Sequence, residues 1–176
     1  MDLGRASVFL DFDGTLTTAD SGLYLLERLG RPAWRGLDEA YDRGEIGSLE
    51  CMVQQWACLP VANESLLRKV SHEVPLDPGA RDLIRLLRQH GAEITVLSDG
   101  FGFYAEEVCR ELGIACLTNA VDWPAGEMRF PNRNLACDCG VCGTCKRAPI
   151  QAAKQRGRTV IFAGDGTSDR RAAPLA

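Results

Sequence analysis

The 176-residue sequence has no long hydrophobic run and no apolar segment at its N-terminus. Its longest apolar runs, residues 7–10 and 159–163, have the length of β-strands, whereas a membrane helix needs about 20 apolar residues. Residues 1–7 lack the apolar core of a signal peptide, which predicts a cytoplasmic protein. Internal repeats and low-complexity segments are also lacking. Hydrophobic and charged contents of 45% and 25% argue against collagen-like, fibrous and disordered chains.

Negative charge is in slight excess, but it is unevenly distributed. The formal net charge is −4, yet residues 131–176 hold eight Lys and Arg against three Asp and Glu. A basic segment of this kind can face an anionic small molecule, solvent or nucleic acid. Nucleic acid is the least favoured of these, and no membrane partner is expected. The oligomeric state stays open.

Strand and helix patterns alternate along most of the sequence. Short apolar runs at residues 8–10, 93–97, 114–117 and 159–163 predict buried strands, and amphipathic segments between them predict helices. The alternation predicts an α/β fold with a doubly wound, Rossmann-like parallel sheet. Residues 121–130 predict irregular chain or a small hairpin.

The segment between the first and second strands is different, since it shows helical patterns and no convincing strand. One helix is predicted at residues 21–29 and a second after Pro32, where proline suits the first helical turn. Ser48 is predicted to cap the third helix and Asn63 the fourth.

Three predicted strands end in short loops that carry aspartate, at residues 11–15, 98–100 and 164–169. Parallel strands present their carboxyl ends at one edge of a sheet, so these side chains are expected to converge there. Converging carboxylates repel each other and usually indicate a bound cation. Oxygen ligands without a nearby histidine favour Mg²⁺.

These segments resemble the four motifs of the haloacid dehalogenase-like superfamily of phosphatases. The first motif is matched by Asp11-Phe12-Asp13-Gly14-Thr15-Leu16-Thr17 and the second by Ser98. The third is matched by Lys146 and the fourth by Gly164-Asp165-x-x-x-Asp169. Their order and spacing agree over essentially the whole chain. The resemblance implies a phosphoric monoester hydrolase that uses Mg²⁺ and an aspartyl-phosphate intermediate on a small phosphorylated metabolite.

The resemblance also implies a role for each motif residue. Asp11 is expected to be the nucleophile, and Asp13 the general acid and base. The expected Mg²⁺ ligands are Asp11, the backbone carbonyl of Asp13, Asp165 and Asp169. The expected phosphate-binding groups are Ser98, the backbone N–H groups of Asp99 and Gly100, and Lys146, with Lys154 as the rival lysine.

Family members with a helical insertion after the first motif use it as a cap that closes over the site and selects the substrate. By this resemblance residues 18–74 form a helical cap, and residues 1–17 and 75–176 form the catalytic core. No cap residue stands out; the candidates for substrate contact are Glu27, Arg28, Arg35 and Tyr41. The cap is similar to that of phosphoserine phosphatases.

A cysteine-rich segment, residues 137–145, precedes Lys146 within the predicted core. Together with Ser98-Asp99-Gly100-Phe101, it resembles the branch that holds the methionine-salvage phosphatase and the phosphoethanolamine and phosphocholine phosphatases. Its thiols are Cys137, Cys139, Cys142 and Cys145. Four thiolates suit a structural zinc ion; reduced thiols, a disulfide and an iron–sulfur cluster are the alternatives.

Other functions fit parts of the pattern. A phosphomutase or phosphotransferase would use the same four motifs, and a zinc-stabilised module that binds nucleic acid or protein could use the basic C-terminal third. Family members usually continue after the fourth motif through a helix, a strand and a closing helix, whereas seven residues follow Asp169 here. The expectation is a fragment that lacks this strand and helix, the alternative being a partner that covers the sheet edge. A missing outer strand would leave an apolar sheet edge and face exposed, which predicts poor solubility or association.

Overall fold

The computed structural model describes residues 3–137 and 141–176 of the chain. The strands are Ala6–Leu10 (β1), Glu93–Leu97 (β2), Ala115–Leu117 (β3), Ala120–Asp122 (β4), Glu127–Arg129 (β5) and Thr159–Ala163 (β6). The helices are Ser21–Leu29 (α1), Trp34–Asp42 (α2), Ser48–Trp56 (α3), Glu64–Ser71 (α4), Ala80–Gln89 (α5), Phe103–Leu112 (α6) and Arg147–Gln155 (α7). Within these ranges no helix has the length and apolar character that crossing a membrane requires.

Four parallel strands form the central sheet in the order β3-β2-β1-β6. Leu10 of β1 pairs with Val96 of β2 on one side and with Ala163 of β6 on the other. Because the strands are parallel and in this register, the loops after β1, β2 and β6 leave the sheet at one edge. The predicted fold class, an α/β fold with a parallel sheet, is confirmed.

Strand β1 is buried on both faces because its side chains alternate between two apolar clusters. Val8 and Leu10 belong to the larger cluster, which also contains residues of α1 to α6. Phe9 belongs to the smaller cluster, together with Ile150 and Ala153 of α7. All five residues of β1 are buried, as expected for a parallel strand covered by helices on each side.

The helical insertion leaves and rejoins the sheet-bearing part of the chain at one point. Thr17 and Leu76 form an isolated antiparallel bridge, and the Thr18 N–H donates to the carbonyl oxygen of Pro75 (3.0 Å). Helices α1 to α4 lie between these two connections and share the larger apolar cluster with the sheet. Asn63 caps α4 as predicted, accepting a backbone N–H at 3.1 Å.

The third helix differs from the prediction at its start. Gly47 holds the N-cap position of α3, and Ser48 is the first helical residue. The Ser48 hydroxyl donates to Asp99 Oδ2, 2.5 Å away, instead of accepting from the helix backbone. The prediction that Ser48 caps this helix is therefore wrong, because a residue distant in sequence takes its hydroxyl group.

Strands β4 and β5 form a small antiparallel hairpin, one of the two outcomes that the sequence left open. Trp56, the last residue of α3, packs on Trp123 of this hairpin with 5.8 Å between ring centroids. Its indole N–H donates to the carbonyl oxygen of Gly126 at 2.9 Å. The hairpin thus supports the C-terminal end of α3 and fixes one side of the insertion.

Candidate active site

The carboxyl ends of β1 and β6 bring three aspartates together. Asp11 directly follows β1, while Asp165 and Asp169 lie in the loop and turn after β6. One carboxylate oxygen from each lies within 4.8 Å of the others. Because β1 and β6 are neighbours in the sheet, residues far apart in sequence meet at this edge.

Lys146 places a positive charge in this group. Its Nζ donates to Asp11 Oδ1 and to Asp169 Oδ1, each at 2.7 Å. Asp11, Lys146 and Asp169 are only 6%, 4% and 3% exposed, so solvent screens these pairs weakly. Burial lowers the pKa of Lys146, but the two carboxylates outweigh burial and leave that pKa raised. The lysine therefore stays protonated.

The rival lysine lies elsewhere. Lys154 is near the C-terminal end of α7, and its Nζ is 3.3 Å from the carbonyl oxygen of Ala176. Lys146 holds the N-cap position of the same helix, next to the sheet edge. The structure thus brings Lys146, and not Lys154, to Asp11.

The carboxylate group fits a divalent cation in charge and in chemistry. Three carboxylates face one ammonium group, which leaves an excess of negative charge. Burial raises the pKa of Asp11 to about 7, with Lys146 lowering it and Asp169 raising it. A cation at this point would favour the ionised carboxylates. The three side chains that could hold an ion, those of Asp11, Asp165 and Asp169, offer hard oxygen atoms, which Mg²⁺ prefers.

The side chain of Asp13 lies outside this three-carboxylate group. Its Oδ1 accepts from the backbone N–H (2.8 Å) and the hydroxyl group (2.5 Å) of Ser21, the first residue of α1. Burial raises the pKa of Asp13 to about 7; Asp20 raises it further and Ser21 opposes the rise. A carboxyl group with a pKa near 7 can both donate and accept a proton at neutral pH, as a general acid and base must.

Ser98 and Gly100 form a tight loop beside Asp13. The Ser98 hydroxyl accepts the Gly100 N–H at 3.2 Å, and Ser98 is buried. A Cβ atom on Gly100 would lie only 2.8 Å from Asp13 Oδ2, so a larger residue would crowd that carboxylate. These two predicted phosphate-binding residues therefore sit next to the predicted acid and base.

The sequence predicts that the backbone N–H of Asp99 binds phosphate. Its side chain makes hydrogen bonds to other parts of the protein. Its Oδ2 accepts from the Ser48 hydroxyl at 2.5 Å. Its Oδ1 accepts from the Thr144 N–H at 2.7 Å and from Asn119 Nδ2 at 3.2 Å. Burial raises the pKa of Asp99, and these hydrogen bonds oppose the rise.

A cavity of about 560 Å³ lies between the sheet edge and helices α1 to α3. Its floor includes Asp11, Asp13 and Asp165. The insertion contributes apolar, acidic and other polar side chains, among them Leu23, Leu26, Asp38, Tyr41, Asp42, Met52 and Gln55. Of the four cap candidates, Tyr41 lines this cavity and the other three are not among its lining residues.

The cysteine cluster gives no sign of a metal centre among the described residues. Cys139 lies outside the described residues. Cys137, Cys142 and Cys145 form no disulfide within the described ranges, and the Cys137 sulfur accepts from Arg147 at 3.8 Å. In residues 3–137 and 141–176, the side chains that could share a metal ion are the three aspartates. The zinc interpretation is therefore not supported by the described part of the chain.

Three residues with hydroxyl groups contact the site, although the motifs assign them no role. Thr15 donates to Asp165 Oδ1 at 2.7 Å, Ser21 holds Asp13, and Ser48 holds Asp99. Thr15 lies inside the quoted first motif, so its position was a usable signal. Ser21 and Ser48 begin helices, where serine is ordinary, and only the tertiary structure reveals their partners.

Comparison with known proteins agrees with the motif analysis. The family model of haloacid dehalogenase-like hydrolases matches residues 8–174. A 2-hydroxy-3-keto-5-methylthiopentenyl-1-phosphate phosphatase of Brevibacillus brevis is 27% identical over 179 residues, which cover 96% of this chain and 79% of the relative. A phosphoserine phosphatase of Archaeoglobus fulgidus is 27% identical over 176 residues, covering 93% of this chain but 48% of the relative.

Solved structures show the same fold. A HAD family hydrolase from Salmonella enterica serovar Typhi aligns with a TM-score of 0.77 at 16% identity, covering 98% of this chain and 60% of that chain. At this identity the likeness concerns the fold alone. The predicted resemblance and its branch are confirmed, and the relatives' names agree with the predicted class, a phosphoric monoester hydrolase.

Proposed function

Because the chain belongs to the haloacid dehalogenase-like hydrolase family, we propose that it is a Mg²⁺-dependent phosphatase that acts on a small phosphorylated metabolite. The observation that carries the proposal is that Lys146 and Asp169 are buried against Asp11, while Asp11, Asp13 and Asp165 line one cavity.

The geometry supports a two-step hydrolysis. In the first step a carboxylate oxygen of Asp11 attacks phosphorus, the ester P–O bond breaks, and Asp13 donates its proton to the leaving alcohol oxygen. In the second step Asp13 accepts a proton from water, the water oxygen bonds to phosphorus, and the bond between Asp11 and phosphorus breaks to release phosphate. A pKa of about 7 for Asp13 suits both proton transfers.

Other residues of the chain neutralise and orient the phosphate. Lys146 holds Asp11 at 2.7 Å and offsets the negative charge that a phosphate would bring. Ser98 and the backbone N–H groups of Asp99 and Gly100 are assigned to the phosphate oxygens. Mg²⁺, held by Asp11, the Asp13 carbonyl, Asp165 and Asp169, would supply positive charge that lets an anionic phosphate approach an anionic nucleophile.

The domain assignment follows the same proposal. Residues 18–74 act as the cap, and residues 1–17 and 75–176 act as the core. The shared stem at Thr17 and Leu76 and the cavity between the insertion and the sheet edge support it. The cytoplasmic location and the structural zinc ion stay predictions.

The cavity wall favours a substrate whose distal part is neutral or cationic. None of the described residues that line it is a lysine or an arginine, whereas Asp20, Asp38 and Asp42 do line it. A distal carboxylate such as that of phosphoserine would meet no cation there. Leu26 and Met52 offer apolar surface. The substrate class of the methionine-salvage phosphatase therefore fits better than that of phosphoserine phosphatase.

The alternatives make different demands. A phosphomutase would return the phosphoryl group to an organic acceptor, so it would release little inorganic phosphate. A nucleic-acid or protein-binding module has no need for a buried lysine held between two carboxylates, one of which lines a cavity. The geometry therefore favours hydrolysis over a binding role.

The test is a phosphate-release assay over a panel of phosphorylated metabolites, with and without Mg²⁺, on the wild type and Asp11→Asn. We expect turnover that needs Mg²⁺, and a loss of about 10⁴-fold or more in Asp11→Asn, as for removal of other catalytic nucleophiles. Turnover retained in Asp11→Asn would exclude the aspartyl-phosphate route. Phosphoserine is expected to be a poorer substrate than esters without a carboxylate.

A further inference from the structure

The side chain of Asp99 joins three segments that are remote from one another in sequence. Its donors are Ser48 at the start of α3, Thr144 in the loop before Lys146, and Asn119 between β3 and β4. Asn119 is fully buried, and its Oδ1 in turn accepts the Thr144 hydroxyl at 3.0 Å. The carboxylate is therefore satisfied by neutral groups of the protein itself.

The loop around Gly143 is shaped to this carboxylate. A Cβ atom at Gly143 would lie 2.8 Å from Asp99 Oδ1 and 2.7 Å from Asn119 Oδ1. Both distances are shorter than a real Cβ atom tolerates, so glycine lets the loop backbone reach the carboxylate. The close approach places the Thr144 N–H within hydrogen-bonding distance of Asp99.

The same loop also holds the insertion directly. The Leu49 N–H donates to the carbonyl oxygen of Val141 at 3.0 Å, next to the bond between Ser48 and Asp99. The first turn of α3 is thus attached at two adjacent points, to the loop after β2 and to the loop before Lys146. Helix α3 supplies Ser48, Cys51, Met52 and Gln55 to the cavity wall, so these bonds fix the position of that wall.

Asp99 also lies between the two predicted phosphate-binding elements. Its neighbours in sequence are Ser98 and Gly100, and its partner Thr144 is two residues before Lys146. A shift of α3 that broke the bond to Ser48 would therefore disturb the loop that binds phosphate and the segment that presents the lysine.

We propose that Asp99 is a positioning residue that, through Ser48, holds helix α3 closed over the cavity and keeps Ser98 and Lys146 in place for the reaction. This inference rests on the proposed phosphatase function. It assigns the Asp99 side chain no contact with substrate. The bond between Ser48 and Asp99 is the link between substrate enclosure and the phosphate-binding groups.

The kinetic test compares Ser48→Ala, Asp99→Asn and the double variant with wild type, using p-nitrophenyl phosphate and the best metabolite. We expect kcat/KM for the metabolite to fall about tenfold in Ser48→Ala, consistent with loss of one hydrogen bond to a charged group. A larger fall, including in kcat, is expected in Asp99→Asn. Adding Ser48→Ala to Asp99→Asn is expected to change kcat/KM less than twofold, because the charged acceptor of the Ser48 hydroxyl is already gone.

Two matched variants separate positioning from general damage. Ser48→Thr keeps a hydroxyl group and is expected to recover most of the loss. Ser71→Ala removes another buried serine of the insertion, one whose hydroxyl bonds locally to Arg68, and is expected to leave kcat/KM unchanged. Multiplicative effects in the double variant, or equal losses in Ser71→Ala and Ser48→Ala, would overturn the proposal.

Hydrogen exchange gives a readout that does not depend on turnover. The amides of Leu49 and Thr144 are expected to exchange about tenfold faster in Asp99→Asn, because their hydrogen bonds lie at this junction. Unchanged exchange at both amides would contradict the positioning role even in an active enzyme. If the wild type turned over no substrate but the two amides still exchanged faster in Asp99→Asn, the proposed phosphatase function would be wrong. The role of Asp99 in holding the three segments together would still stand.

Discussion

Asp11 and Asp99 follow neighbouring strands of one sheet, β1 and β2, yet they are held in opposite ways. Asp11 contacts a buried ammonium group and lies within reach of two further carboxylates. Asp99 accepts three hydrogen bonds from neutral donors in three different segments. The first arrangement concentrates charge and needs a cation to balance it. The second satisfies one charge with dipoles and connects parts of the chain.

One edge of the sheet thus carries two kinds of carboxylate, one suited to binding ligands and one suited to holding segments of the chain together. A carboxylate with an unmet demand for positive charge can bind a metal ion and a phosphate. A carboxylate whose oxygens are already occupied has little left for a ligand, but it fixes the groups that donate to it. Removing a partner should therefore affect activity strongly at Asp11 and positioning mainly at Asp99.

The largest effect is expected for Lys146→Met, which keeps the length of the side chain and removes its charge. Asp11 and Asp169 would lose their common partner, and breaking a buried charge pair in this way costs about 3–5 kcal/mol of unfolding free energy. Catalytic turnover should fall about 10²- to 10³-fold with it, since a preorganised positive group is lost. Urea unfolding and phosphate release measure the two losses.

The matched control for this lysine is Lys154→Met on the same helix. Its ammonium group is exposed and lies at the other end of α7, so both quantities are expected to stay near wild type. Equal losses in the two variants would mean that the ion pairs of Lys146 with Asp11 and Asp169 contribute nothing specific to stability or turnover.

The next effect concerns pH and Mg²⁺. Burial raises the pKa of Asp11 and of Asp13 to about 7, above the ordinary value of 3.8, so the folded metal-free protein binds more protons than the unfolded chain between about pH 4 and 7. Its stability should therefore fall as pH rises through that window. Mg²⁺ competes with these protons and should stabilise more at pH 8 than at pH 5.

At a Mg²⁺ concentration about 100 times its dissociation constant, the gain in unfolding free energy should approach about 2.7 kcal/mol. Thermal melting at the two pH values measures it. Asp11→Asn is expected to reduce this gain, and Asp99→Asn is expected to keep it, because Asp99 is not in the carboxylate group. If Mg²⁺ no longer stabilised Asp99→Asn, the view that Asp11 binds the metal ion and Asp99 does not would be wrong.

The smallest effect is expected for Thr144→Val, which removes a hydroxyl group at nearly constant shape. The bond to Asn119 Oδ1 is lost while the Thr144 N–H can still donate to Asp99. Leaving a buried acceptor without its donor should cost about 1–2 kcal/mol of unfolding free energy. kcat/KM should change less than twofold, because the carboxylate keeps Ser48. A tenfold loss of kcat/KM would mean that the hydroxyl group itself takes part in positioning.

Local patterns in the sequence predicted much of the fold. The predicted strands at residues 93–97 and 159–163 coincide with β2 and β6, and the helix predicted at residues 21–29 coincides with α1. These elements have apolar periodicity and clear end signals, which act over a few residues. The predicted N-cap of α3 is wrong because the Ser48 hydroxyl donates to Asp99 and does not accept from its own helix.

The candidate site divides in the same way. The residue types that stand after β1, β2 and β6 and in the four family motifs can be recognised without a structure, because these are properties of short segments. Three contacts became visible only in the folded protein: Lys146 rather than Lys154 meets Asp11, Ser21 binds Asp13, and Asp99 accepts from Ser48. Such contacts depend on how whole elements are placed in space, and hydrogen bonds and charge pairs between residues remote in sequence leave no local pattern.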